Sequence, residues 1–120
     1  MKNEIRKRLE IIDGEIETHT VLFFNKCDEM IKNVISYIRL YNVQFSEVLL
    51  EYCIYNKNFY GTKIKSKKIG DNDYYINFTA DNYCLLVYFY VYRNSKMNWD
   101  FSYREIFITS TTGELLEELV

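Results

Sequence analysis

Three groups of residues in this chain combine reactive or adhesive side chains with regular spacing. The first is Tyr88, Tyr90 and Tyr92, which alternate within the run Tyr83 to Arg93, YCLLVYFYVYR. On an extended strand, alternate residues stand ~6.6 Å apart on one side, so these rings would form a row. Tyrosine suits a binding surface because it offers a large contact area at low entropic cost, with a hydroxyl at the tip. The same row is equally what a covering helix or a second subunit would pack against, a homodimer interface included. Trp99 follows in a polar loop with Met97. It reads either as an anchor beside the row or as a lid residue tucked onto the core.

The second group is Lys63, Lys65 and Lys67 in the segment TKIKSKKI. Alternation places the three on one side as a compact positive strip able to touch phosphates. Readers of single-stranded nucleic acid combine such strips with exposed rings. An edge strand that uses charge to discourage further pairing has the same pattern, and the acidic total favours that reading.

The third is Asp71, Asp73 and Asp81 with Lys63 or Lys65 nearby in sequence. A metal-dependent nuclease needs two carboxylates and a lysine converging on one cation. Asp71-Asn72-Asp73 and Ala80-Asp81-Asn82 are also turn sequences, and that reading is preferred. His19 is the only histidine, and Cys27 and Asp28 lack the spacing of a zinc ligand set, so His19 is expected at the surface where a helix starts. Cys27, Cys53 and Cys84 read as small apolar fillers. No glycine-rich phosphate loop, Walker-type lysine or nucleophile elbow is present. The expectation is a protein with no catalytic residues, no metal and no cofactor.

The elements that must position these groups follow from the pattern. Residues 2 to 12 carry Ile5, Leu9 and Ile12 as one helical stripe, with Asn3 as a cap and Asp13-Gly14 as a stop or bend, the alternative being a helix that runs through Gly14 into the next one at ~1 kcal/mol for the glycine. Residues 19 to 41 repeat apolar side chains at three and four from Phe23 to Tyr41, giving a long amphipathic helix that starts at Thr18 or Thr20 and ends at Asn42. Its ~34 Å matches the length of an 83–93 strand, so the helix is laid along the sheet. Residues 45 to 56 alternate and read as a strand, with a helix opened by Ser46 as the rival for 46–55. Edge strand 62–69, strand 73–79 with Tyr74, Ile76 and Phe78 inward, strand 83–93 and strand 102–110 follow, separated by short turns. Thr111 to Glu114 fits a capping box, with Leu115, Leu116 and Leu119 in a short terminal helix. The fold class is therefore α+β, one domain over residues 1–120. N-terminal helices pack on one face of a four- or five-stranded antiparallel sheet, and a short C-terminal helix ends it.

Composition bounds the function. The net charge is −2 and the aromatic share is 18%, with 12 Tyr and 8 Phe. The charge drifts along the chain. Residues 1–41 balance at seven of each sign; residues 42–70 hold five Lys against two Glu (+3); residues 71–120 hold three basic and eight acidic side chains (−5). The charged amino terminus lacks the apolar core of a secretion signal, and the odd, scattered cysteines fit reduced thiols in the cytoplasm. The expected function is a small non-catalytic cytoplasmic binding protein that blocks a protein partner. Toxin-immunity proteins and phage-encoded inhibitors of host defences share this format. Tyr88, Tyr90, Tyr92 and Trp99 would supply contact area, while Asp100, Glu105 and the tail Glu114, Glu117 and Glu118 would steer toward a basic surface. The alternative is a binder of a small nucleotide or short single strand, using the tyrosines and the lysine strip. No membrane partner is expected, since no run approaches the ~20 apolar residues of a span.

Overall fold

Alternating burial along Tyr83–Arg93 sets the architecture. In the computed structural model, which describes residues 2–13 and 19–119, Tyr83, Leu85, Val87, Phe89 and Val91 are all buried. The residues between them are half-buried on the opposite side. The chain runs through helices α1 (Lys2–Asp13), α2 (Thr20–Tyr41) and α3 (Phe45–Tyr55), then strands β1 (Lys63–Lys68), β2 (Asp73–Thr79), β3 (Tyr83–Arg93), β4 (Trp99–Ser110) and β5 (Leu115–Glu118). The five strands form one antiparallel meander in which spatial order equals sequence order, β1-β2-β3-β4-β5. The helices lie on one face of it, as the periodicities predict.

The core is sandwiched between α2 and the inner side of β2–β4. Phe23, Phe24, Cys27, Met30, Ile31 and Val34 of α2 are buried against Ile76, Phe78, Leu85, Val87 and Ile106. Phe23 stacks on Phe78 with centroids 5.5 Å apart. Two buried polar contacts pin the helix to the sheet: the Thr20 hydroxyl meets the Tyr83 hydroxyl at 3.0 Å, and Tyr103 donates to Asp28 at 2.6 Å. Asn42 ends α2 in the left-handed conformation (φ 49°), and its N–H bonds to the Ile38 carbonyl.

Three expectations are corrected. Residues 45–55 form helix α3, not a strand, and Cys53 is therefore helical. Phe45, Val48, Leu49 and Cys53 are buried, a spacing of three and four, whereas alternation would have required Leu50 and Ile54, which are 50% and 58% exposed. The inward stripe covers β1 and α2, with Phe45 packed on Tyr74 at 4.8 Å. Residues 115–118 form strand β5, not a terminal helix. Gly113 at φ 93° turns the chain, Ser110 accepts from the Glu114 N–H, and the resulting hairpin pairs what would otherwise be the unpaired edge of β4. This brings Leu119 into the core and Glu117 to Arg8 of α1 at 2.7 Å. The helix caps also differ. Asn3 lies inside α1, and Thr20 sends its hydroxyl to the sheet instead of capping α2. Thr18, Gly14 and the Ile12 side chain lie outside the described residues.

Candidate functional site

The outer face of the sheet carries the candidate site, since all three helices pack on the inner face. Its layout follows from strand register. One level across the sheet reads Lys65, Asn77, Leu86, Phe107 and Glu118; the next reads Lys67, Tyr75, Tyr88 and Glu105. The following level holds Asp73, Tyr90 and Ser102, and the last Tyr92 and Asp100. Tyr88 stands at the centre, 5.5 Å from the Tyr75 ring and edge-on to Phe107 at 6.0 Å. Tyr90 and Tyr92 continue the row with rings 5.5 Å apart. The expected tyrosine row thus exists and is half-buried, while the described helices pack on the opposite face.

A β-bulge shapes this face. The β3–β4 register shifts between Tyr88 and Phe89, so that Tyr88 faces Glu105 and Phe89 faces Tyr103, with Arg104 as the extra residue. Arg104 and Glu105 both end up exposed. Arg104 lies 4.3 Å over the Tyr90 ring and binds Asp73 at 2.5 Å, which neutralises both charges within the face. The Tyr92 phenol is held above its ordinary range, first by desolvation, then by the Asp100 carboxylate and Tyr90. Asp100 and Glu105 thus share the outer face with the tyrosines.

Trp99 does not. It pairs with Arg93 at the end of β3–β4 and packs against the inner core, with Phe101 and Tyr103 on the same side. The Arg93 guanidinium covers its ring at 4.4 Å and donates to the Met97 carbonyl at 2.9 Å. Trp99 is the lid residue of the two readings, and it lines a cleft of about 270 Å³ with Ile38, Arg39 and Asn42 at the end of α2.

Lys63, Lys65 and Lys67 all point to the outer face from β1, because Ile64 is buried on the other side. They share that face with Tyr75 and Tyr88. The aspartates do not gather: Asp73 begins β2 and Asp81 follows its end, separated by a strand of 7 residues, ~23 Å. Among the described residues no group of three His, Cys, Asp or Glu side chains could hold a metal ion. His19 stands where α2 starts, as expected, and is half-buried there, its ring tilted against Tyr60 at 5.1 Å. Cys27 and Cys53 are buried and Cys84 half-buried on the outer face. Burial pushes the Cys27 thiol well up, with Cys53 and Asp28 adding to it, and pushes Cys53 up to about 11. Neither thiol is poised as a nucleophile.

Two features escape a reading of the sequence. Tyr75 and Phe107 complete the aromatic centre across β2–β4, and only register reveals that they flank Tyr88. A groove of about 340 Å³ runs between α2 and α3, lined by Tyr37, Val48, Glu51, Tyr52 and Tyr55. It could be found only by placing 45–55 on a helix. Among the described residues no helix is long and apolar enough to cross a membrane. No protein-family model matches this chain, and no curated protein and no solved structure is significantly similar to it.

Proposed function

We propose that this is a small non-catalytic binding protein of the cytoplasm whose outer sheet face docks onto a protein partner and blocks it. One observation carries the reading. A five-stranded sheet has an aromatic centre on one face, while every described helix packs on the other. Docking buries rings that are already ordered by one another, so little side-chain entropy is lost on binding. Tyr88, Tyr90 and Tyr92 supply the contact area, and Asp100, Glu105 and Glu118 along β4–β5 steer toward a basic patch. Trp99 has no part in it. Three unpaired cysteines support a reducing compartment. Steric blocking in the manner of toxin-immunity proteins or phage-encoded inhibitors needs nothing more than such a face.

Affinity capture with the wild-type chain, Tyr88→Ala and Tyr92→Ala tests this. The wild type should retain a partner that both variants lose. Because Tyr88 has two ring neighbours, Tyr88→Ala should also cost about 1–2 kcal/mol of stability, while Tyr92→Ala should cost less. Identical retention by all three would refute the reading.

A second reading has its own observation: Lys65 and Lys67 lie on the same face as Tyr75 and Tyr88. That juxtaposition suits a short single strand or a nucleotide, with bases on the rings and phosphates on the lysines. A melting-temperature rise with oligonucleotides or nucleotides in large excess would support it, since ligands stabilise by mass action. No rise with any of them would exclude it.

A further inference from the structure

The charge layout of the outer face matches itself. Its β1 margin carries three cations, Lys63, Lys65 and Lys67, and its β4–β5 margin carries three anions, Asp100, Glu105 and Glu118. Asp73 and Arg104 cancel each other between them. A balanced face with opposite signs on opposite margins and an apolar centre is self-complementary under a two-fold axis. We propose that in solution this face is docked by a second copy of the chain, on a dyad lying along β3. The proposal rests on the reading that the face is a docking surface, and it names the occupant.

Register selects the axis. Rotation about β3 exchanges the two margins while keeping each level in place. Lys65 then faces Glu118 of the second copy, and Lys67 falls beside Glu105 of that copy, within a lysine's reach. Leu86 meets Leu86 and Tyr88 meets Tyr88 on the axis. Asp73 lies toward Arg104 of the second copy, so even the neutral pair finds a partner. A dyad across the strands would instead set β1 over β1 and bring lysines onto lysines. Aligned sheets pack with strand directions ~30° apart, which puts the axis within ~15° of β3.

The area is adequate. Four strand spacings of ~4.8 Å by a mean strand length of ~26 Å, the strands running from 4 to 12 residues, give roughly 500 Å² of flat footprint. Ring and lysine relief raise this toward the ~800 Å² per partner of a standard stable interface. A foreign protein partner would then compete with the second copy for the same surface.

The test uses sedimentation and light scattering from 1 to 200 µM, with three proteins. The wild type should move from 14.6 kDa toward twice that mass as concentration rises. Lys65→Glu/Lys67→Glu makes both margins acidic, and Glu105→Lys/Glu118→Lys makes both basic. All four side chains are exposed, so circular dichroism should show both variants folded. Each variant alone should dissociate at least about tenfold more readily than the wild type. Mixed one to one they should form a heterodimer, since every reversed margin then meets its complement. On the wild type itself, Cys84 lies inside the footprint, so its thiol labelling should slow as concentration rises. A wild type that stays monomeric at 200 µM overturns the proposal, as does a dimer that both variants retain or a mixture that fails to associate. If the wild type is monomeric yet Tyr92→Ala still loses its partner, the self-docking fails and the docking face stands.

Discussion

Removing one hydroxyl, in Tyr103→Phe, tests how the helical layer is fixed to the sheet. Asp28 sits on the buried stripe of α2 with 3% of its surface exposed. Its Oδ1 accepts the Tyr103 hydroxyl at 2.6 Å, and Lys32 approaches Oδ2 at 2.8 Å. The two partners differ in kind. Lys32 is 57% exposed, so its attraction is screened by water, whereas the phenol bond is dry. Burial, the Cys27 neighbour and the Asp28 bond together push the Tyr103 phenol far up, so it remains a neutral donor well beyond pH 10. Phenylalanine preserves the ring contacts with Phe24 and Phe101 and deletes only this donor. A charge-assisted hydrogen bond of this kind contributes about 1.5–3 kcal/mol. Unfolding entropy near 2.1 cal/mol/K per residue gives roughly 0.25 kcal/mol/K for a chain of this length, so Tm should fall by about 6–12 °C. Urea unfolding at pH 7 should show a lower midpoint with unchanged slope. A loss below ~0.5 kcal/mol would refute the argument that this bond anchors α2. A double-mutant cycle with Asp28→Asn should show coupling of about 1 kcal/mol or more.

Alkaline pH should destabilise the fold through its buried thiols. A folded pKa raised above the unfolded value gives stability that is complete below the unfolded value and lost as pH rises through the folded one. Cys53 rises from 9.0 to about 11, so between those values it should account for about 2–3 kcal/mol of loss, with Cys27 adding to it; a urea midpoint constant to pH 10.5 would contradict this. At the end of α2, Asn42→Ala should cost about 1 kcal/mol because alanine lacks the short polar side chain that lets asparagine hold the left-handed φ 49°, while Asn42→Gly should be nearly neutral in a thermal melt.

The fold was legible wherever one period was unambiguous. The three-four repeat of α2 and the strict alternation of β2 and β3 each leave one way to bury the apolar set, and all three elements lie where that pattern puts them. Residues 45–55 satisfy both periods at once, since Val48 fits either. Only the neighbours decide: β1 is short and lysine-rich, and its single buried Ile64 needs a helix stripe above it. The segment 111–119 shows local capping chemistry overruled by pairing. A terminal helix would have left the far edge of β4 bare, whereas Gly113 lets the chain return and bury Leu119. The tyrosine row was readable from spacing alone, but its flanks were not. Tyr75, Phe107 and the bulged Arg104 reach Tyr88 and Tyr90 through register, which a single strand does not encode.

The charge asymmetry of the outer face has its origin in the connectivity. A meander keeps sequence order as spatial order, so any drift of charge along the chain becomes a gradient across the sheet. The surplus of lysine before residue 70 therefore gathers on β1, and the surplus of acid after residue 71 gathers on β4 and β5. A crossover connection would have interleaved the two and left a face without polarity. Here the margins lie four strands apart, beyond the ~8 Å over which salt screens at physiological strength, so neither quenches the other within one molecule. Each margin is left to be satisfied by solvent or by a surface of opposite sign, and the chain itself carries such a surface at the same height on the same face.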